Sequence, residues 1–186
     1  IDQSRWINFD DHWQELQAFC QHKRKILKPR KQWPHNKKVV KDAVSHFLTN
    51  KKNRGKLIMP CGAGKSLCSY WIAEALNAQT ILVAVPSINL ISQSLGDWTQ
   101  EFVANGVDAD WLVICSDKTV TKIEQDEFME DHSDLGIPST TNTDEIVKFL
   151  KRGKQRKKVI FTTYQSARTL CKAAKTSKTN FDLGIL

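Results

Sequence analysis

The stretch "GKLIMPCGAGKSLCSYWIAEAL", residues 55–76, decides the fold prediction because it passes from an apolar run through two glycines into a helical pattern. The run at 56–60 predicts a strand, and the pattern that begins at Lys65 predicts a helix. A glycine-rich turn between a strand and a helix directs backbone amides and the positive end of the helix dipole towards one point. Such a loop favours an anion, and a phosphate group in particular.

The lysine and the serine at the end of this loop supply two further functions that a bound triphosphate needs. Lys65 brings a positive charge to the β- and γ-phosphates, and the Ser66 hydroxyl is placed to ligate Mg²⁺. A Cβ at Gly62 or Gly64 would clash with a phosphate or forbid the necessary backbone angles. The strict phosphate-loop pattern has a glycine where Met59 stands, so the match is to the shorter G-x-G-K-S core, and a glycine-rich turn without a ligand is the alternative. Lys65 and Ser66 are the predicted catalytic residues, Ser66 the predicted magnesium ligand, and Pro60, Cys61, Gly62, Ala63, Gly64, Lys65 and Ser66 the predicted nucleotide-binding residues.

Strand and helix patterns alternate along the rest of the chain. Nearly continuous apolar runs are typical of parallel strands that are covered on both faces. The pattern therefore predicts an α/β fold with a mainly parallel sheet, helices on both of its faces and ligands beyond the carboxyl ends of the strands. The predicted strands span 56–60, 80–85, 111–115, 157–163 and 182–186, and the predicted helices 65–77, 88–104, 144–152 and 165–175.

The composition is that of a globular chain with an uneven distribution of charge. The 186 residues are 40% hydrophobic and carry a formal net charge of +8. Basic residues concentrate at 23–38 and 148–158, while 97–134 is mostly acidic. A basic stripe is expected for a polyanion partner, although solvated lysines are the alternative. No apolar run is long enough to cross a bilayer, so we expect a cytoplasmic protein without a membrane partner.

The five cysteines predict no disulfide framework and no zinc site. They are odd in number, widely spaced and without a C-x-x-C pair. We expect reduced, mostly buried thiols at Cys20, Cys61, Cys68, Cys115 and Cys171.

Several segments resemble, in the right order, the motifs of a known family. "RGKLIMPCGAGKS" (54–66) resembles an ATP-binding motif I, and "VPSINLISQSLGDW" (85–98) resembles motif Ia. "VICSD" (113–117) is similar to the strand end that follows it, and "VIFTTYQS" (159–166) to the motif before the Walker B strand. The family is the first RecA-like domain of superfamily-two helicases and translocases, most closely the predicted-helicase branch of bacterial restriction and phage-defence enzymes. The resemblance covers about residues 27–186.

The resemblance implies an ATP-driven motor with Mg²⁺ as its metal and DNA as its partner. It also implies a second RecA-like domain in the parent chain and the first part of a RecA-like ATP-binding domain at 51–186, while helical periodicity before Lys56 predicts a helical segment at 1–50 that packs on this domain. In the family, motif Ia and the Thr-Tyr-Gln segment bind the sugar-phosphate backbone of one strand without reading bases. Turn and cap chemistry is the alternative for such small polar residues. The matching nucleic-acid residues are Pro86, Ser87, Gln93, Thr163, Tyr164 and Gln165.

Asn36 is a further nucleotide-binding residue implied by the resemblance. The segment "WPHNKKVV" (33–40) is similar to one that in this family ends in a glutamine hydrogen-bonded to adenine. Asn36 holds that position here, and its side chain is shorter by one carbon. An N-terminal cap of the helix that begins at Lys37 is the alternative reading.

The family pattern also predicts that the sequence is part of a longer protein. "FDLGIL" (181–186) resembles the strand that delivers the Asp-Glu-Ala-His box, and the sequence stops where that box would begin. In the family a later strand inserts between this strand and the phosphate-loop strand, so we expect an empty sheet position and no turnover from these residues alone. Two other readings stay open at this point, a nucleotide-binding switch or kinase and a non-enzymatic basic DNA-binding module.

Overall fold

A computed structural model describes residues 28–115, 137, 139–153 and 155–186, which form one layer of sheet between two layers of helix. The helices are α1 (Pro34–Val44), α2 (Lys65–Ala75), α3 (Ile88–Ala104), α4 (Thr143–Lys151) and α5 (Ala167–Ser177). A single wider turn, Ser45–Thr49, continues α1. The strands are β1 (Thr80–Val85), β2 (Ala109–Ile114), β3 (Lys157–Thr163) and β4 (Leu183–Ile185).

The four strands pair in parallel in the order β2-β3-β1-β4. Strand β1 lies in the middle, with Val83 opposite Phe161 of β3 and Ile185 of β4. Parallel pairing requires a crossover between strands, and α3 supplies the crossover from β1 to β2 while α5 supplies the one from β3 to β4. This confirms the predicted mainly parallel α/β fold.

Alternate residues of the strands pack against opposite helix layers. Ile81, Val159 and Phe161 share a buried cluster with side chains of α2 and α3, such as Trp98. Even-numbered residues such as Ile160 belong to a second cluster, with side chains of α4 and α5. Because both faces are covered, the strands need apolar residues at every position, which explains the continuous runs in the sequence.

The predicted strand at 56–60 is wrong, because these residues form no strand in the structure. Ile58 is 81% exposed and Leu57 47% exposed. Both edges of β1 are taken, by β3 and β4, and within the described residues β4 pairs only with β1. An extended segment becomes a strand only when a neighbour satisfies its amides and carbonyls, so the apolar composition was not sufficient here.

The segment before the phosphate loop is partly described. Residues 1–27, the first half of the predicted helical segment at 1–50, lie outside the described residues, as does the stretch 116–136. Arg30 anchors the start of the described chain on α3. Its guanidinium lies 2.6 Å from the Asp97 carboxylate, and the Arg30 backbone amide donates to the Glu101 carboxylate at 2.9 Å. Helix α1 then packs on α2. A boundary near residue 50 stays a prediction.

Two simpler observations complete the fold. Among the described helices, none combines the length and the apolar character that a bilayer crossing requires. Cys68 and Cys115 are buried but Cys61 and Cys171 are exposed, so the expectation of mostly buried thiols is wrong for half of the described cysteines. Each exposed cysteine lies where packing does not reach it, Cys61 in the loop before α2 and Cys171 on the outer side of α5.

Candidate functional site

The glycine loop lies at the carboxyl edge of the sheet. Helix α2 is joined to the start of β1 by the short connection 76–79, so its C-terminus is at the amino edge. The Lys157 ammonium at the start of β3 confirms this direction, because it lies 2.6 Å from the Glu74 carboxylate in the last turn of α2. Since α2 packs along the sheet, its N-terminus and the loop before it come to the edge where parallel α/β sheets bind ligands.

The loop has the backbone conformation that exposes its amides. Gly62 and Gly64 adopt φ angles of 76° and 77°, in the left-handed region that favours glycine, and Gly64 is the N-cap of α2. Ala63 donates a long 3.4 Å bond to the Pro60 carbonyl. Across the described ranges, the amides of Gly62, Gly64, Lys65 and Ser66 donate to no protein acceptor. Unpaired amides at a helix N-terminus are the donors that bind an anion.

The two functional side chains of the loop are in different states. The Lys65 ammonium is exposed and donates to the Pro60 carbonyl at 3.1 Å, inside its own loop and not in an ion pair elsewhere. The Ser66 hydroxyl oxygen is buried and has no hydrogen-bond partner within the described residues. A buried hydroxyl without a partner is costly, by roughly 1 to 3 kcal/mol, unless a ligand or a solvent molecule satisfies it. An oxygen ligand at this position fits a hard cation such as Mg²⁺.

Asn36 is buried and its side chain connects α1 to the loop. Its Oδ1 accepts from the Trp33 amide at 3.2 Å, as a cap of α1 would. Its Nδ2 donates to the Ala63 carbonyl at 3.1 Å and to the Cys68 sulfur at 3.1 Å. Both amide hydrogens are therefore engaged by protein acceptors. The expectation of an N-cap at Asn36 for a helix that begins at Lys37 is wrong, because α1 begins at Pro34 with Trp33 as its N-cap, and Asn36 accepts the Trp33 amide from the third helical position. A hydrogen bond from Nδ2 to a base would require one of the Nδ2 bonds to break.

Two buried side chains that sequence reasoning did not select also hold the start of α2. The Trp98 indole Nε1 of α3 donates to the Ser66 carbonyl at 3.2 Å. Cys68 accepts the Asn36 amide, and burial raises the pKa of its thiol above the usual value while that hydrogen bond lowers it. Apolar-face spacing marked Trp98 as a core residue, and it is 0% exposed. The direction of its N–H has no signature in the sequence.

The candidate strand-contact segments come together at the same edge of the sheet. The Tyr164 amide donates to the Val85 carbonyl at 3.1 Å, which joins the turn after β3 to the end of β1. Ser87 is the N-cap of α3, and its hydroxyl accepts from the Leu90 amide at 3.4 Å. Tyr164 is 50% exposed. Pro86, Gln93 and Gln165 are also exposed.

Thr163 differs from the other members of this set because it is fully buried. Its hydroxyl interacts with the Ser166 hydroxyl at 3.2 Å and accepts from the Ser166 amide at 3.4 Å. These bonds close the turn that presents Tyr164 and Gln165. In this conformation Thr163 supports the turn and does not face solvent, so the predicted direct contact with a nucleic acid stays without geometric support.

The described residues include no metal cluster built from side chains. Within 28–115, 137, 139–153 and 155–186, no three histidine, cysteine or acidic side chains converge. The "EDH" stretch at 130–132 lies outside these residues. A cation at the loop would therefore be bound by the Ser66 hydroxyl, by phosphate oxygens of a bound nucleotide and by groups outside the described residues.

The fold and the loop define a class of protein, the RecA-like α/β domains with a phosphate loop before a helix. The chain belongs to the family described as type III restriction enzyme, res subunit (ResIII), whose profile matches residues 27–186. The resemblance to the helicase motifs covers about the same residues. No curated protein matches the chain.

Two solved structures share this fold. One is a nuclease-deletion mutant of the Type ISP restriction-modification enzyme LlaGI in complex with a DNA substrate mimic, with 27% identity over 83% of this chain and a TM-score of 0.66. The other is the ATP-dependent Type ISP restriction-modification enzyme LlaBIII bound to DNA, with 26% identity over 84% of this chain and a TM-score of 0.68. The matches span only 15% and 10% of those two chains.

Proposed function

We propose that this chain is the ATP-binding part of a superfamily-two DNA translocase or helicase in a restriction-modification or phage-defence enzyme. The observation that carries the proposal is the set of unpaired amides of Gly62, Gly64, Lys65 and Ser66, which lies beside an exposed lysine and a buried, unpartnered hydroxyl. Amides, a lysine and a serine in this order are the parts that bind a nucleoside triphosphate. The ATP dependence of LlaBIII, which shares the fold, supports ATP as the nucleotide.

Each loop residue has a separate task in this proposal. The amides of Gly62, Gly64 and Lys65 hydrogen-bond phosphate oxygens, and the positive end of α2 stabilises their charge. Lys65 exchanges the Pro60 carbonyl for a phosphate oxygen, a small movement because its ammonium already lies inside the loop. Ser66 orients its hydroxyl towards the metal site.

Mg²⁺ fits the loop because Ser66 offers an unpartnered oxygen beside the phosphate-binding amides. A bound Mg²⁺ neutralises charge on the phosphates during phosphoryl transfer. Further ligands and a carboxylate that orients the attacking water are also required. In the proposal these groups come from the Asp-Glu-Ala-His box, and the positive charge on the γ-phosphate comes from a second RecA-like domain.

The turn at Tyr164 and the N-terminus of α3 form the contact with DNA. Exposed polar groups and a helix N-terminus bind phosphate and sugar without selecting bases. The Tyr164 to Val85 hydrogen bond keeps the two segments side by side, so one strand contacts both. The DNA-bound states of LlaGI and LlaBIII support DNA as the polymer.

The test is a comparison of Lys65→Ala, Ser66→Ala and wild type in the intact protein. We expect Lys65→Ala to lose ATP binding by at least about tenfold and to abolish ATP hydrolysis. We expect Ser66→Ala to bind ATP normally without Mg²⁺ and to lose the gain that Mg²⁺ gives wild type. Calorimetric titration with and without Mg²⁺ measures both.

A matched control and a second assay separate the alternatives. Ser69→Ala removes a hydroxyl from the same helix, one that is engaged by the Ser66 carbonyl at 2.6 Å, and it should leave the effect of Mg²⁺ unchanged. Stimulation of the wild-type ATPase by duplex DNA supports the motor. ATP binding without such stimulation would support a nucleotide-binding switch or kinase, and unchanged ATP affinity in Lys65→Ala would overturn the nucleotide site itself.

A further inference from the structure

A cavity lies at the opposite edge of the sheet from the phosphate loop. It has a volume of about 700 Å³ and is formed where β1, β3 and β4 begin and where α4 and α5 end. None of the predicted nucleotide or strand-contact residues lines it. Strand β3 crosses the sheet in seven residues, so about 20 Å separates this cleft from the turn at Tyr164.

The cleft is strongly cationic. Its lining includes five basic side chains and one carboxylate, that of Asp182. The carboxylate is already engaged, since it accepts from the Gln79 amide at 3.0 Å and from the Thr80 amide at 2.8 Å. The basic residues are Lys151, Arg152, Arg156, Lys158 and Lys178.

Helix ends account for only part of this positive charge. The carbonyl ends of α4 and α5 each contribute about half a negative charge at the cleft. The buried Lys158 ammonium compensates the negative end of α4, because it donates to the Leu150 carbonyl at 2.7 Å and to the Arg152 carbonyl at 2.6 Å. At α5 the backbone closes the helix, with the Thr179 amide donating to the Ala174 carbonyl at 3.1 Å.

The remaining cations are exposed and weakly paired. Lys151 and Lys178 have no carboxylate within 4.0 Å among the described residues. Arg156 lies 3.8 Å from Asp108, but both side chains are exposed, and such surface pairs contribute less than about 1 kcal/mol. The Arg152 guanidinium lies over the Phe149 ring at 5.4 Å from its centre. Even after subtraction of Asp182 and both helix ends, the cleft keeps a charge of roughly +3.

We propose that this cleft is a second nucleic-acid contact, which binds the sugar-phosphate backbone on the far side of the domain from the strand-contact loops. The polar groups between the cations, Ser177, Thr179 and Asn180, are of the types that bind phosphate and sugar oxygens. A polymer suits the spread of the cations over two helix ends and a strand start better than a single small anion does. The proposal rests on the proposed function in one respect, which is that it takes DNA as the polymer.

A second contact on the far side has a consequence for a motor. The loops at Ser87 and Tyr164 would hold one stretch of DNA, and the cleft would hold another stretch of the same molecule. Because the cleft contains neither the nucleotide loop nor its neighbours, its affinity should depend on salt and not on nucleotide.

The test uses a triple variant of the intact protein, Lys151→Gln, Arg156→Gln and Lys178→Asn. Asparagine is chosen at position 178 because Lys178 has a φ of 54°, a conformation that asparagine tolerates. The matched control is Lys148→Gln, Lys172→Gln and Lys175→Gln, which removes the same charge from exposed positions on α4 and α5 that do not line the cleft. Anisotropy of a labelled random-sequence duplex measures affinity between about 50 and 200 mM salt.

We expect the cleft variant to reduce the slope of log affinity against log salt by roughly 2 to 3, as the loss of three phosphate contacts would. The control should reduce it by less than about 1. Equal slopes for the two variants would overturn the proposal. Displacement of DNA from the wild-type cleft by equimolar inorganic tripolyphosphate would also overturn it, in favour of a small phosphorylated ligand.

ATP titration of the same variants keeps this outcome separate from the proposed function. The cleft variant should bind ATP as wild type does, which also shows that it is folded. If Lys65→Ala retains full ATP affinity, the proposed function fails whatever the cleft does. If Lys65→Ala loses ATP affinity as expected but the cleft variant has the same salt slope as its control, the cleft proposal is wrong and the proposed function stands.

Discussion

The indole Nε1 of Trp98 donates a 3.2 Å hydrogen bond to the carbonyl oxygen of Ser66, and this bond fixes the first turn of α2 against α3. Trp98 is fully buried, and its ring contacts those of Tyr70, Phe102 and Phe161. The helix that offers the candidate metal ligand is therefore held by the helix that begins at Ser87, within the candidate strand-contact segment. A displacement of one helix would be transmitted to the other through this bond.

Trp98→Phe should lower the free energy of unfolding by about 1 to 3 kcal/mol, because it removes one of the donors to the Ser66 carbonyl, which keeps the Ser69 hydroxyl, and puts a smaller ring in a fully buried position. Trp111→Phe is the control, since the Trp111 ring also contacts Phe161, stacked where Trp98 is edge-on, but has no indole hydrogen bond among the described residues. Urea denaturation measures both variants. Equal losses would mean that ring volume and not the hydrogen bond determines the effect.

Asn36→Ala should weaken the binding of ATP and GTP by the same factor, because Asn36 holds the Ala63 carbonyl and has no free amide hydrogen for a base. Asn36→Asp should be worse than Asn36→Ala, since it places a carboxylate oxygen against that carbonyl. Calorimetric titration with each nucleotide makes the comparison. A loss confined to ATP would instead assign adenine recognition to Asn36.

Gly64→Ala and Gly96→Ala should change stability in opposite directions. Gly64 has a φ of 77°, and an added Cβ would meet only the Asn36 side chain at 3.7 Å, so the penalty is one of backbone strain, about 1 to 2 kcal/mol. Gly96 lies within α3 with open space around it, and alanine there should stabilise by up to about 1 kcal/mol. Thermal unfolding monitored by circular dichroism tests the pair. The same sign for both variants would contradict the conformation of the loop.

Alkylation should distinguish the exposed cysteines from the buried Cys68. Cys61 and Cys171 are exposed and should react with iodoacetamide, while Cys68 should resist it. Burial raises the Cys68 pKa, so at a given pH less of the reactive thiolate is present than for an exposed cysteine, and its reaction should be slower and should increase with pH. Peptide mass spectrometry locates the modified residues.

Nucleotide should change this pattern at one residue only. Mg²⁺ with ATP is expected to protect Cys61, which lies in the phosphate loop, and to leave Cys171 on α5 as reactive as before. Protection of both residues would indicate a global effect. Protection of neither would contradict a triphosphate within the loop.

Much of the fold could be predicted from sequence because the sheet is covered on both faces. Continuous apolar runs located β1 and β3 with their correct ends, and the helical period located α3. The predicted strand at 56–60 is wrong for a physical reason. Apolar composition indicates what a segment prefers to bury and not whether a neighbouring strand is present. Leu57 is apolar in the sequence and half-exposed in the structure for that reason.

The candidate site could be predicted less completely than the fold. Gly62, Gly64, Lys65 and Ser66 could be predicted as candidates because the chemistry of the loop depends on residue type and spacing. Asn36 was found for a different role, since a sequence cannot show that both of its amide hydrogens are engaged. The cationic cleft could not be predicted as a cavity, because Lys151 and Lys178 are distant in the sequence and line the same cleft only after α4 and α5 have packed on the sheet.

The exposed side chains of Leu57, Ile58 and Leu186 have a practical meaning for anyone who handles these residues in isolation. Leu186 directly follows β4, whose outer edge has no partner among the described residues and so offers unsatisfied amides to any extended peptide. Concentrated samples of residues 1–186 should therefore tend towards oligomers and precipitation, and a solubility tag or a charged replacement at Ile58 would be a sensible precaution during purification.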